Sequence, residues 1–214
     1  VQIDGSHHDW FGNAGKACLM NMVDDATGVT YLLMFEEETT EAAMRVLWGW
    51  IERYGIPKAL YADRKNVYVT ERELTLKEDI AGEKALTAFG KACRKLGIRI
   101  ITARSPQAKG RVERNHGVYQ DRFVKELALG GIKTIAGANK LLADGFIDDL
   151  NAWFAQDAAS GEDSHTPVPS GVPLADVFAF EETRTVNNDF TIRHQNRWYQ
   201  LSGKGKSLPP AKSS

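Results

Sequence analysis

The chain has 214 residues, is 43% hydrophobic and 26% charged, and carries a formal net charge of −1 at pH 7. That length suits one large domain, or one domain with a small appendage, and the composition is that of a soluble globular protein able to bury a core. A general nucleic-acid coat, which would be strongly basic, is excluded, and the longest apolar stretches fall far short of the roughly 20 residues a membrane span needs.

Any basic footprint is therefore local. Arg104 to Lys125 holds six basic residues against two acids, and Glu181 to the end holds six against three. Phosphate contacts are expected there, with a solvated helix face and a soluble tail as the plain alternative. Cys18 and Cys93 stand far apart with no C-x-x-C pair. That spacing excludes a cysteine-based zinc knuckle and suggests reduced, buried thiols. No secretory signal pattern is read at the start.

The first third reads as a β-meander. Val1 to Ser6, Lys16 to Val23 and Val29 to Phe35 are apolar or alternating runs, separated by turns at Gly12 to Gly15 and Asp24 to Gly28. Short turns make these three strands antiparallel. Thr39 or Thr40 then caps a helix whose apolar positions Ala43, Val46, Leu47, Trp50, Ile51 and Tyr54 follow the helical period, ended by Gly55 and Pro57. Lys58 to Ala62 is a short strand that delivers Asp63. The charged stretch from Arg72 to Glu83 reads as a surface insertion, Glu83 to Leu96 as a second helix, and Ile98 to Ile101 as a fifth strand. A loop from Ser105 leads into a third helix over Arg111 to Leu127, and a fourth spans about Ile135 to Phe154. From Gln156 the composition turns to Ala, Ser, Gly, Pro and Asp, an extended linker. After it RTV, FTIRH and RWYQL read as short β runs, and the final GKGKSLPPAKSS as a disordered tail.

The expected fold class is thus α/β: a mixed five-stranded sheet flanked by helices, followed by a linker and a small β unit. The expected domains are a core over 1–155, a linker over 156–180 and the β unit over 181–214. In this order the first strand is central and carries Asp4, the fourth lies beside it and carries Asp63, and the third helix brings Glu113 across. Three dispersed acids, one per element, are what a two-metal phosphoryl-transfer site needs, because Mg²⁺ takes oxygen ligands and is held by a few carboxylates plus substrate phosphate. Alone, each is an ordinary solvated acid or helix-start residue.

The same order resembles the integrase core of retroviral-integrase-like DDE transposases of bacterial insertion sequences, with its ribonuclease-H-like fold. IDGSHH is similar to the opening strand with its metal-binding Asp, DDATG-x-x-x-Y-L to the turn and third strand, and YGIPKALYAD to the segment presenting the second Asp. SPQAKGRVERNHG, the most specific piece, is similar to the loop and helix presenting the Glu, and RTVNNDFTIRHQNRWYQL to the start of a small β-barrel that follows the core. The resemblance implies Asp4, Asp63 and Glu113 as catalytic metal ligands for two Mg²⁺ ions, with Mn²⁺ an alternative. Lys109, Arg111, Arg114 and Arg122 would contact DNA, with His7, Asn66 and Gln120 as auxiliary candidates. Implied too are transposon-end and target DNA as partners, a homo-oligomer assembled on DNA, no membrane, and the bacterial cytoplasm. The activity implied is Mg²⁺-dependent DNA cleavage and strand transfer during transposition.

Three departures stand out. Asp63 is followed by Arg64-Lys65-Asn66 where the family commonly has Asn-Gly, leaving Asn66 to take that asparagine's role. The 49 residues between Asp63 and Glu113 exceed the usual gap, with the charged insertion absorbing the excess. Gln120 stands where a basic residue is common. His7 and His8 sit on an alternating strand, so one shares the Asp4 face; a hydrogen-bonded strand-end histidine is the commoner fate. The helix-turn-helix domains that usually precede the core are missing and the β unit is too short to close a barrel, so the sequence reads as a piece of a longer protein. A ribonuclease-H-type nuclease and a catalytically silent DNA-binding fragment remain the alternatives.

Overall fold

In a computed structural model, residues 1–12, 15–74, 79–80, 84–102 and 110–203 are described, those at 110–113 by backbone only. Among these residues, strands β1 (Gln2–His8), β2 (Ala17–Val23), β3 (Thr30–Phe35), β5 (Ala59–Ala62) and β6 (Arg99–Thr102) form one sheet in the order β3-β2-β1-β5-β6. β1, β2 and β3 are antiparallel neighbours, whereas β5 runs parallel to both β1 and β6. β1 is therefore the central strand, and the mixed five-stranded α/β sheet is as the sequence led one to expect.

β2 is buried along its whole length because helices cover both faces of the sheet. On one side Ile3, Cys18, Met20, Met22 and Leu60 pack against α1 (Thr40–Tyr54) and α2 (Ala88–Lys95). On the other, Leu19, Leu32 and Met34 pack with Tyr119, Phe123 and Leu127 of α3 (Gly110–Leu129), and with α4 (Ile135–Leu141) and α5 (Ile147–Phe154). α1 begins where the Thr39 hydroxyl accepts from the Ala42 N–H, buries Val46, Leu47, Trp50 and Ile51, and ends at Gly55 with φ 92°. β4 (Ile56–Pro57) follows directly.

Several boundaries differ from the sequence reading. α2 starts only at Ala88, where Thr87 caps it by accepting from the Gly90 N–H at 2.9 Å. The single helix expected over 135–154 is two helices joined through a π-type segment, Leu142–Phe146, in which Gly145 takes φ 135°. That value suits glycine, which lacks the Cβ that would strain there.

The core also extends beyond residue 155. The first compact unit is Val1–Phe178. Within it β7 (His165–Thr166) pairs with β4, the Trp50 indole N–H donates to His165 Nε2 at 3.3 Å, and the short α6 (Leu174–Val177) leads to Phe178, which stacks on Trp48 at 5.7 Å. Composition marked this stretch as a free linker because its Pro and Gly are plain in sequence. The apolar residues that dock it, Val168, Leu174, Val177 and Phe178, are scattered among them.

The second unit is Ala179–Ser214. Among its described residues β8 (Thr191–His194) and β9 (Arg197–Gln200) form a hairpin whose turn residues Gln195 and Asn196 both have positive φ, as a tight two-residue hairpin turn requires. The expected RTV run at 184–186 is not a strand.

Candidate active site

Register brings Asp4 and Asp63 together. The parallel strands β1 and β5 place Gln2 opposite Tyr61. Each acid lies two residues further along, at the mouth between strands that run about 4.8 Å apart where paired. The Lys65 ammonium enters this mouth and touches three carboxylates: Glu38 Oε2 at 2.6 Å, Asp4 Oδ1 at 3.5 Å and Asp63 Oδ2 at 3.8 Å. Because one nitrogen reaches both aspartates, their oxygens are no more than about 7 Å apart, a gap that ligand distances near 2.1 Å and ions about 4 Å apart can bridge. The Asp4 side chain is 13% exposed and that of Asp63 35%, so the pair is sheltered yet reachable.

Glu38 and Lys65 are the site residues that sequence reasoning missed. Glu38, in the loop between β3 and α1, has a side chain only 5% exposed, and its second oxygen accepts from the buried Tyr68 hydroxyl at 2.9 Å. Gly5 lets it approach: a Cβ there would stand 2.7 Å from Glu38 Oε2 and 2.8 Å from Cys18 Sγ. Lys65 is held by a turn in which its carbonyl accepts from the N–H groups of Tyr68 and Val69. Burial pulls the Lys65 pKa down, but the Glu38 hydrogen bond and the charges of Asp4, Glu38 and Asp63 outweigh it and hold the group above its ordinary value. The ammonium among these oxygens also tests the site as a cation site: the donors are hard, convergent and already arranged around one positive charge.

Helix α3 is pinned to the same strand. The Gln120 amide donates to Ser6 Oγ at 3.2 Å, and Tyr119 OH lies 2.7 Å from Thr30 Oγ1, whose hydroxyl donates to Asn21 Oδ1. Asn21 is the register partner of Asp4. Glu113 sits in α3 seven residues before Gln120, about two turns, and so on the same stripe of the helix. Its side chain, that of Arg111, and the whole of Lys109 lie outside the described residues. Arg114 is exposed at the start of that helix.

Other candidates fall elsewhere. Arg122 lies over the rings of Trp153 and Phe154, 5.2 Å from each centroid. Two residues past Gln120 is about 200° around the helix, so Arg122 faces away from the strand that Gln120 meets. Asn66 is exposed in the turn; the residue that faces the acids is Lys65. His7 lies across the β1–β2 ladder from Cys18, and with Glu38 their ligand atoms fall within 4.8 Å of one another. Burial, then Glu38, pushes the Cys18 thiol up to about 12, which leaves it protonated at neutral pH. The alternate face, shared with Asp4, belongs to His8, whose ring meets Trp10 edge-on at 5.2 Å.

No protein-family model matches the chain. It is 36% identical over 204 residues to y4bF of Sinorhizobium fredii, which bears a transposase name, and 33% identical over 209 residues to the transposase for insertion sequence IS1202 of Streptococcus pneumoniae. These matches cover 94% and 97% of the chain but 43% of either relative, so it spans less than half their length. Among solved structures it resembles a chain of the simian T-cell lymphotropic virus intasome, with TM-score 0.56, 19% identity and coverage of 86% of this chain and 60% of that one. It also resembles the dimeric HTLV-2 integrase catalytic core in complex with magnesium, with TM-score 0.50, 18% identity and coverage of 83% and 94%. At such identities the structural likeness speaks to the fold alone, which is ribonuclease-H-like.

Proposed function

We propose that this chain, similar in sequence to two bacterial transposases and in fold to retroviral integrase cores, is the catalytic region of an integrase-like DDE transposase, cleaving and joining DNA with divalent metal ions. The observation that carries the reading is the single ammonium reaching both Asp4 and Asp63. It supports the reading because the two carboxylates already face the same positive charge.

Asp4, Asp63 and Glu113 would hold the ions, two Mg²⁺ with Mn²⁺ able to replace them. Bound there, the metals would activate the attacking oxygen and stabilise the leaving one. The chain's own part is positioning. β1 and β5 fix the aspartates by register, and the Gln120–Ser6 and Tyr119–Thr30 contacts lock α3, and with it the backbone of Glu113, onto the sheet. Lys109, Arg111 and Arg114 flank Glu113 and would meet DNA phosphate, setting register without reading sequence. Arg122, committed to Trp153 and Phe154, is left out of that set. Transposon-end and target DNA are the partners this reading requires, a homo-oligomer on DNA the assembly, and the bacterial cytoplasm the place. Among the described residues no helix is long and apolar enough to cross a membrane.

The test is a labelled DNA duplex incubated with the chain and Mg²⁺ or Mn²⁺. Wild type nicks or joins it, and Asp63→Asn and Glu113→Gln lose that activity while keeping most DNA affinity. Cleavage by either variant at the wild-type rate refutes the assignment.

A further inference from the structure

We propose that Lys65 is a tethered counter-ion that competes with the divalent metal for Asp4 and Asp63 and withdraws from them as the metal enters. The proposal rests on the metal-dependent reading above and adds to it how the site is kept in order.

Three acids from three separate parts of the chain, Asp4 on β1, Glu38 after β3 and Asp63 after β5, crowd around one nitrogen. Left alone, charges so close and so poorly hydrated would repel one another and spread the site. Lys65 neutralises part of that charge from a position fixed in the turn that follows Asp63. The arrangement is also graded. The Glu38 contact, at 2.6 Å, is a full hydrogen bond, whereas 3.5 and 3.8 Å to the aspartates are longer than one. Lys65 thus has a firm partner to keep and two loose ones to release.

A divalent ion held by Asp4 and Asp63 would bind the same carboxylates that the ammonium now faces at 3.5 and 3.8 Å, and like charges so placed in a sheltered site cannot share it comfortably. The Lys65 side chain is 43% exposed, so it has room to move outward. Lysine suits this task better than arginine, being a compact charge on a flexible stem that holds no carboxylate bidentately. Metal entry then exchanges one positive charge for two, and the acids are never crowded with none.

The experiment measures Mn²⁺ affinity directly, from the electron paramagnetic resonance signal of free Mn²⁺, for the intact chain and for Lys65→Gln, Lys65→Met and Asp63→Asn. Two neutral replacements guard against one that folds poorly, and circular dichroism checks each fold. Removing the competing charge is expected to tighten Mn²⁺ binding about tenfold or more in both lysine variants, since a unit positive charge facing the same carboxylates is being removed, and Asp63→Asn to weaken it. Affinity that is unchanged or weaker in folded Lys65→Gln and Lys65→Met overturns the counter-ion role while leaving the metal site standing. Wild type and lysine variants that bind no better than Asp63→Asn overturn the metal-dependent reading itself.

Discussion

Tyr68→Phe isolates the scaffold behind the acids. The Tyr68 ring is 1% exposed and meets Phe89 edge-on at 5.4 Å, a contact that phenylalanine keeps. Only the hydroxyl is lost, and with it the 2.9 Å hydrogen bond to Glu38 Oε1. A hydrogen bond to a charged group contributes about 1.5–3 kcal/mol, and a buried carboxylate oxygen left without it keeps its desolvation cost. Lys65 still holds the other oxygen, so a loss of about 2 kcal/mol is expected. In urea, with m near 2 kcal/mol/M, the midpoint should fall by about 1 M with m unchanged, because the same surface is exposed on unfolding. Repeating the substitution in a Glu38→Ala background completes a double-mutant cycle, and most of the loss should vanish there. A loss below about 0.5 kcal/mol, or one of equal size in both backgrounds, refutes the claim that Tyr68 holds Glu38.

Two further outcomes follow from the same geometry. Gly5→Ala places a methyl group 2.7 Å from Glu38 Oε2 and 2.8 Å from Cys18 Sγ; overpacking of this kind should cost about 1–3 kcal/mol in urea unfolding, and a neutral effect would show that Glu38 does not lie over β1. Alkaline pH should destabilise the fold. Burial raises the pKa of Tyr68, Tyr119, Cys18 and Cys93 in the folded chain, and Lys65 is raised by its acidic partners despite its burial. A raised folded pKa gives stability that is complete below the unfolded value and lost as pH climbs through the folded one. The urea midpoint should therefore hold near neutrality and decline once pH passes about 9, where thiols and then phenols of the unfolded chain ionise first; a midpoint flat to pH 11 refutes this.

What the sequence could reveal divides along a physical line. Asp4 and Asp63 were legible because their placement is local. Short turns force β1 to β3 to be antiparallel, and the α1 connection then sets β5 beside β1, so two strand-borne acids converge without knowledge of any side-chain contact. Gln120 could be placed on α3, but not its amide on Ser6, since that bond crosses 114 residues. Glu38 was hidden for a different reason. It ends a run of three glutamates, Glu36 to Glu38, and nothing in their order distinguishes the one that turns inward. Gly5 makes the distinction, by leaving space over β1 that only the fold aligns with residue 38. The surroundings of Arg122 were hidden in the same way. Its charge is visible in sequence, while the rings it covers belong to α5 and arrive only through packing. Lys65 lies between these cases. It stands in the sequence two residues after Asp63, where its charge is visible but its partners are not. Its meaning required knowing that three carboxylates wait within reach of its nitrogen. A local signal can therefore mark a charged residue beside a candidate acid, and only the tertiary arrangement shows which carboxylates its side chain meets.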